Sequence, residues 1–275
     1  MRQWSFRILI VSAVFVVFFW AAPKGRSQSR NLVPNPGFEQ GQNGKPAHWT
    51  FENPLTQSWQ SGGVDGRFLR FDTDVYLCEV RKATAKPEAQ AQKNPTSGNK
   101  HNTVAGTEGV RSWSEAIRVK PGQHYLLQVD AKGPEGTPFV YLKGFRKLEA
   151  KDAARHGSLR FFRRNPGGPA FSLLVGGTEK RQPVAGDYLQ TYRARLVCHL
   201  PGDGKWRRFH RTLKLKTRKN YRAEVVLLML YAYWPAGQYS FDNVVLRPIS
   251  EEEAKHWDAK RTANGIPHNS ELRAN

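Results

Sequence analysis

The 275 residues include only two cysteines and two methionines, and 23 Asp and Glu stand against 43 Lys and Arg. Two cysteines are too few for a disulfide-stapled scaffold, so a chain of this length must hold its fold by a packed core. Absent too are HExxH, GxSxG, a CxxC pair and a glycine-rich phosphate loop, and the eight histidines are scattered singly. Metal hydrolysis, nucleophilic triads and phosphate-loop chemistry therefore have no sequence support. No apolar run reaches the roughly 20 residues of a membrane-spanning helix. Sustained helical periodicity is scarce, and no internal repeat is present.

The longest apolar run, Ile8 to Ala22, follows Arg2 and Arg7 and precedes Lys24, Arg26 and Arg30. That arrangement reads as a signal peptide, with an uncleaved anchor as the alternative. Ala22 precedes Pro23, a poor cleavage junction, so Ser27 and Ser29 are the expected recognition pair and residues 1–29 the segment removed. No cysteine follows the run, so a lipid-modified N-terminus is not supported. Removal costs four bases and no acid, which lowers the net charge from +20 to +16. A secreted, periplasmic or cell-surface location follows, with no stable membrane span unless the N-terminal segment stays uncleaved. Inside a cell such charge would point first to nucleic acid. Outside it, the partners are anionic polysaccharides, cell-surface polymers or acidic headgroups, and no nucleic acid is expected. The plain alternative is that the charge only maintains solubility.

From residue 31 to 249, short alternating or β-branched runs recur between Gly, Pro, Asn and Asp, an all-β pattern. The expected strands are 31–33, 49–51, 67–71, 112–119, 124–130, 139–145, 188–198, 206–215, 221–231 and 238–246. Strands of this number with local turns fit two packed antiparallel sheets. In the pair 112–119 and 124–130, joined by Pro121 and Gly122, alternation places Trp113, Ile117, Val119, Tyr125, Leu127 and Val129 on one core face. Two insertions interrupt the pattern. Residues 82–109 are polar and free of aromatics and predict a surface loop. Residues 146–187 hold a short helical run, Lys147 to Arg155, then LRFFRRNPGG and FSLLVGG. The chain thus divides into a leader (1–29), one domain (30–249) and a C-terminal segment (250–275). In the last, Ser250 with Glu253 has capping-box spacing for a helix to about Lys260, with a tail from Thr262.

Cys78 and Cys198 both lie in strand-like runs, VYLCEV and ARLVCHL. If paired, they would close a loop of about 120 residues and stabilise by roughly 4 to 5 kcal/mol. The alternative is two separately buried thiols.

Four features, in order, carry a family likeness: NLVPNPGFEQGQNGKPAHW from Asn31 to Trp49, Pro121-Gly122 followed by Tyr125, Trp206 with Phe209, and QYSFDNVVL from Gln238 to Leu246. Together they resemble the secreted jelly-roll carbohydrate-binding modules of the cellulose- and xylan-binding type, in the galactose-binding-like superfamily. The resemblance spans residues 31–249 outside the two insertions. It implies a two-sheet antiparallel β-sandwich and a non-catalytic role in holding polysaccharide. It further implies a structural Ca2+ where the first and last strands meet, with Glu39 and Asp242 as the matching carboxylates. Calcium takes six to eight oxygens, so backbone carbonyls and water would complete the shell. The alternative is that both carboxylates cap turns or meet arginines. Asp72 and Asp74 lack the rest of a calcium loop and read as solvated turn groups.

Such modules bind glycans through exposed rings. Trp59, in TQSWQSGG, and Tyr231, Tyr233 and Trp234, in LYAYWPAGQY, sit beside turn residues and are the candidate ligand rings. Trp49, Trp206 and Phe209 occupy framework positions and are assigned to the core. Between Lys205 and Arg222 there are nine Lys or Arg and no acid. Alternation puts Arg208, His210, Lys214 and Lys216 opposite Phe209, Leu213 and Leu215, a basic ladder suited to an anionic polymer. Glu115, Asp130, Glu224 and Asp242 are the strand carboxylates a glycosidase would have to draw on, and for each the solvated or salt-bridged reading is favoured. Two functions remain: an extracellular polysaccharide-binding module, or a structural or adhesive surface protein using the same sandwich for protein contacts.

Overall fold

The computed structural model describes residues 29–84, 100–147, 149, 161–162, 188–218 and 221–263. The leader, most of both insertions and the end of the tail lie outside the described residues. Described elements are, in order, β1 (Gly41–Gln42), β2 (Lys45–Pro46), β3 (Gln57–Ser61), β4 (Arg67–Asp72), α1 (Leu77–Thr84), β5 (Val110–Trp113), β6 (Ile117–Arg118), β7 (His124–Lys132) and β8 (Glu135–Gly136). There follow β9 (Phe139–Lys147), β10 (Phe161–Phe162), β11 (Tyr188–Val197), β12 (Leu200–Pro201), β13 (Arg207–Lys214), β14 (Val225–Ala232), β15 (Gln238–Ile249) and α2 (Glu251–Ala263).

Two antiparallel sheets carry the architecture. One runs β10-β11-β9-β14-β5, with β6 also on β14; the other runs β13-β7-β15-β4-β3. Their inner faces share one core, in which Phe38, Phe71, Leu142, Leu228, Tyr239 and Phe241 are fully buried. Each such side chain stabilises by about 1.5–3 kcal/mol. The antiparallel β-sandwich and the helix from residue 251 agree with the sequence reading. Among the described residues no helix is long and apolar enough to cross a membrane.

The opening segment does meet β15, though not as a strand. Leu32 N donates to Leu246 O at 2.8 Å and Val244 N to Pro36 O at 2.8 Å. Asn31 Oδ1 accepts from both Val33 N and Leu246 N, so a side chain stands in for ladder partners. Asn35, in the left-handed region at φ 48°, donates to the carbonyls of Gln40 and Ala47 and thereby ties the following loop. Trp49 forms only an isolated bridge, with Ser114; it packs on Phe38 at 5.2 Å in the core, as its framework position implied.

Three expectations are corrected. The run VYLCEV is not a strand: Leu77–Thr84 is helical, because Glu79 reaches back to Tyr76 N at 3.2 Å and a helix-forming sequence follows. Cys78 is therefore on α1 while Cys198 is wholly buried in the core, and both are free thiols rather than a disulfide. The continuous strand 112–119 is broken. Opposite β14, Trp113 faces Met229 and Ile117 faces Val226, so four steps on one strand answer three on the other. Ser114 Oγ accepts from Leu228 N within this bulge. An extra residue reverses the side-chain face, so Ile117 enters the core while Trp113 points away from it. Lastly, Lys147 ends β9 instead of opening a helix, and the rest of the run expected to reach Arg155 lies, residue 149 apart, outside the described residues.

Candidate functional site

The outer face of the six-stranded sheet is built from residues that alternate away from the core. Across it the register sets out three rows: Arg193, Lys143 and Leu227; Arg195, Tyr141, Met229 and Trp113; Val197, Phe139, Tyr231 and Arg111. These residues gather a second apolar cluster, in which Phe139 and Tyr141 are each 8% exposed. Cations lie over the rings: Lys143 Nζ is 4.5 Å from the Trp113 centroid, Arg193 Cζ 4.8 Å from Tyr141 and Arg195 Cζ 5.3 Å from Phe139.

Toward the turn after β14 the rings open to solvent. Phe139 and Tyr233 are near parallel at 5.8 Å and 13°, and Tyr231 and Tyr233 at 5.7 Å and 18°. Tyr231 Oη donates to Glu108 O at 3.2 Å; burial, then the nearby Tyr141 and Tyr233 phenols, push its pKa up, so it stays a neutral donor. Trp234 is 40% exposed and stacks on His101 at 5.0 Å and 6°. The fold thus brings Tyr231, Tyr233 and Trp234 to one end of one sheet.

Trp59 is not among them. It lies on β3 in the other sheet, its Nε1 donating to Phe38 O at 2.7 Å and its ring covered by Arg67 at 4.1 Å. Trp206, expected in the core, is half-buried at the sheet margin, edge-on to Phe68 at 5.6 Å.

The basic ladder is present on β13 but is not a free surface. Arg208 makes two 2.7 Å bonds to Asp130, whose side chain is 4% exposed. His210 faces Trp257 of α2 at 4.8 Å, and Thr212 between the rungs bonds Asp258. Arg208 keeps an exposed flank but is tied to Asp130, and Lys214 and Lys216 are exposed beside a cleft of about 480 Å³ with Tyr221. The helix rests on this strand, and the linear sequence could not show that.

Glu39 and Asp242 do converge. A Cβ on Gly37 would stand 3.7 Å from Glu39 Oε1, 3.8 Å from Asp242 Oδ1 and 3.5 Å from Asn243 Oδ1. Asp242 is fully buried at the β15 bulge, where Asn243 adopts φ 48° and donates its N–H to Asp242 Oδ1 at 2.7 Å. Asp242 Oδ2 accepts from Val64 N at 2.7 Å, and Glu39 Oε1 from Arg67 N at 2.8 Å. Burial pushes the Asp242 carboxyl above its ordinary value, against the backbone N–H groups that lower it. Gly63 and Gly66 are required here: a Cβ on either would come within 2.5 Å of the Asp242 or Glu39 carboxylate. Three side-chain oxygens around one glycine form a hard-oxygen donor set that suits calcium. Among the described residues no group of three or more His, Cys, Asp or Glu is placed to hold a metal, so backbone and water would have to supply the remaining ligands.

Of the other carboxylates expected in strands, only Asp130 is in one, on β7; Glu115 lies between β5 and β6 and Glu224 just ahead of β14. Each has a partner: Glu115 with His48 at 3.1 Å, Glu224 with Arg222 at 3.2 Å, and Asp130 with Arg208. Asp72 accepts from Asp74 N and Gln238, as a turn group would.

Sequence reasoning missed Phe139, Tyr141, Lys143, Arg193 and Arg195. A signal was present: β9, FVYLKGFRK, is apolar on both alternations, which marks a strand whose second face is also covered.

No family model matches the sequence, and no curated protein matches it. Solved structures that it resembles include the enzymatically active domain of tailspike protein 4 of bacteriophage CBA120, at 11% identity and TM-score 0.40. That match covers 80% of this chain and 21% of the tailspike chain. A Family 16 Carbohydrate Binding Module-2 matches at 12% identity and TM-score 0.39, covering 78% of this chain and 99% of the module. The CBM22-2 xylan-binding domain of Paenibacillus barcinonensis Xyn10C matches at 9% identity and TM-score 0.32, over 78% and 98%.

Proposed function

We propose that the protein is an extracellular, non-catalytic carbohydrate-binding module, taking polysaccharide on the outer face of the six-stranded sheet and at its loop end. The observation that carries this is the row Phe139, Tyr231, Tyr233, near-parallel rings that pass from a covered floor to a solvent edge beside the exposed Trp234. Flat rings of this kind meet the apolar faces of sugars while phenols and guanidinium groups meet hydroxyls. The engagement of Asp130 and Glu224 by arginines, and of Glu115 by His48, supports binding without hydrolysis. We also propose a structural calcium at Glu39, Asp242 and Asn243, where a divalent charge would offset the cost of burying Asp242.

Affinity electrophoresis on neutral and acidic polysaccharides tests the glycan reading. Tyr233→Ala or Trp234→Ala should lose about 1 to 3 kcal/mol of affinity with little change in melting temperature. Trp59→Ala, which removes a packed ring, should instead lower stability and leave affinity in place. If the parent protein is retarded by no polysaccharide, the reading fails.

A further inference from the structure

Arg193 and Arg195 on β11 point to the outer face of the six-stranded sheet, and neither has a described carboxylate partner. Their Nε atoms are shielded from solvent and meet no acceptor. An unsatisfied, shielded guanidinium N–H is costly and calls for an explanation such as a ligand that accepts from it. The surroundings sharpen the case. Arg193 stands directly across from Lys143, where two like charges oppose each other across a strand pair. The cations roof the aromatic floor, so an incoming chain meets guanidinium groups before it meets the rings of Tyr141 and Phe139. Arg111 on the same face differs, being paired with Glu52 at 3.5 Å.

From this we infer that the sheet face selects an acidic polysaccharide, with Arg193 and Arg195 receiving its carboxylate or sulfate groups. The inference rests on the polysaccharide reading above and adds the charge class of the ligand. Arg193 and Arg195 are two residues apart on one strand, a separation of about 6.8 Å, which lets them take successive anionic groups of one polymer. The planar guanidinium fork matches carboxylate and sulfate oxygens in pairs. A neutral glucan would leave both Nε–H groups without acceptors of matching charge.

A strongly basic protein adheres to any polyanion, so the test compares variants of equal charge. Retention on immobilised polygalacturonate, a sulfated polysaccharide and neutral xylan is measured for the parent, for R193Q/R195Q and for K214Q/K216Q. The arginine pair should lose about tenfold in affinity for the acidic polymers, and the lysine pair less than about twofold. Stronger retention on polygalacturonate identifies carboxylate as the anion, stronger retention on the sulfated polymer identifies sulfate, and either supports the inference. Equal losses in the two variants, or a parent that prefers xylan, overturn it and leave polysaccharide binding standing. Retention on none of the three overturns both readings. Should R193Q/R195Q fail to fold, phenylglyoxal modification of the parent, read by peptide mass spectrometry, gives the answer. Acidic ligand should slow modification at Arg193 and Arg195 but not at the Asp203-paired Arg207, and absence of protection overturns the inference.

Discussion

Arg208 shows how one contact changes a residue's meaning. By alternation it belongs to a basic ladder open to solvent, yet its guanidinium clamps Asp130, whose second acceptor role is to Asn243 Nδ2 at 3.1 Å. Asp130 is buried and Arg208 half-exposed, so loss of the arginine strands a carboxylate in a dry place. Arg208→Ala should destabilise by about 1–3 kcal/mol in urea denaturation, and Asp130→Asn in that background should recover part of the loss. Unchanged stability would return Arg208 to the list of ligand groups. The cysteines permit a second test at this scale. Burial pushes the Cys198 thiol far above its ordinary pKa, whereas Cys78 is only partly covered on α1. Native protein should release one equivalent of thionitrobenzoate from Ellman's reagent, and a second only in denaturant. Failure to detect either thiol in denaturant would mean that the two are bridged after all.

Among the elements, α2 was legible in its start and not in its landing. Ser250 accepts from Glu253 N at 3.1 Å, the cap that the sequence spacing predicted, and Glu253 also pairs with Arg247. What the spacing does not encode is that Ala254 and Trp257 seat on Leu126 and Ile249, over β7 and β15. That seat also covers the middle of β13, which is why a strand read as a ligand ladder is half roofed. Trp257→Ala should cost about 1–2 kcal/mol, less than a fully buried tryptophan, because the ring is only partly covered. Urea midpoints would check this, with glycan affinity expected unchanged. The same limit explains other differences. β7, β9, β11, β13, β14 and β15 were readable because long alternating or β-branched runs dictate extended chain. β3, with QSWQS, has no such run and exists through its pairing with β4. The bulge at Ser114 turns Trp113 outward through one unmatched residue, a matter of partner register that a single strand's sequence does not contain.

For the molecule as a whole, the paired opening and closing segments were the most legible feature, because both carry residues whose job is local and specific. Asn31 completes the ladder of β15, Asn35 ties the loop that brings Glu39 round, and Asn243 in the left-handed region turns Asp242 inward. The two-sheet plan followed from them and from the strand count. The binding face did not, since a strand with apolar residues on both alternations does not say which side is interior. Where the segments meet, Glu39 and Asp242 join chain positions from opposite ends of the sandwich, so a cation held there acts on global unfolding rather than on one loop. An unfolded chain cannot present the two carboxylates together, and calcium at about 100 times its dissociation constant would add about 2.7 kcal/mol. The expected result is a higher melting temperature in millimolar calcium than in chelator. Asp242→Ala should melt lower in both buffers, having lost the acceptor for Val64 and Asn243, and the calcium-dependent increment should vanish. Gly66→Ala, which drives a Cβ into the Glu39 carboxylate, should shrink the increment in the same way. Identical melting of the parent in calcium and in chelator would leave these carboxylates with the task of holding backbone N–H groups, those of Val64, Arg67 and Asn243 among them.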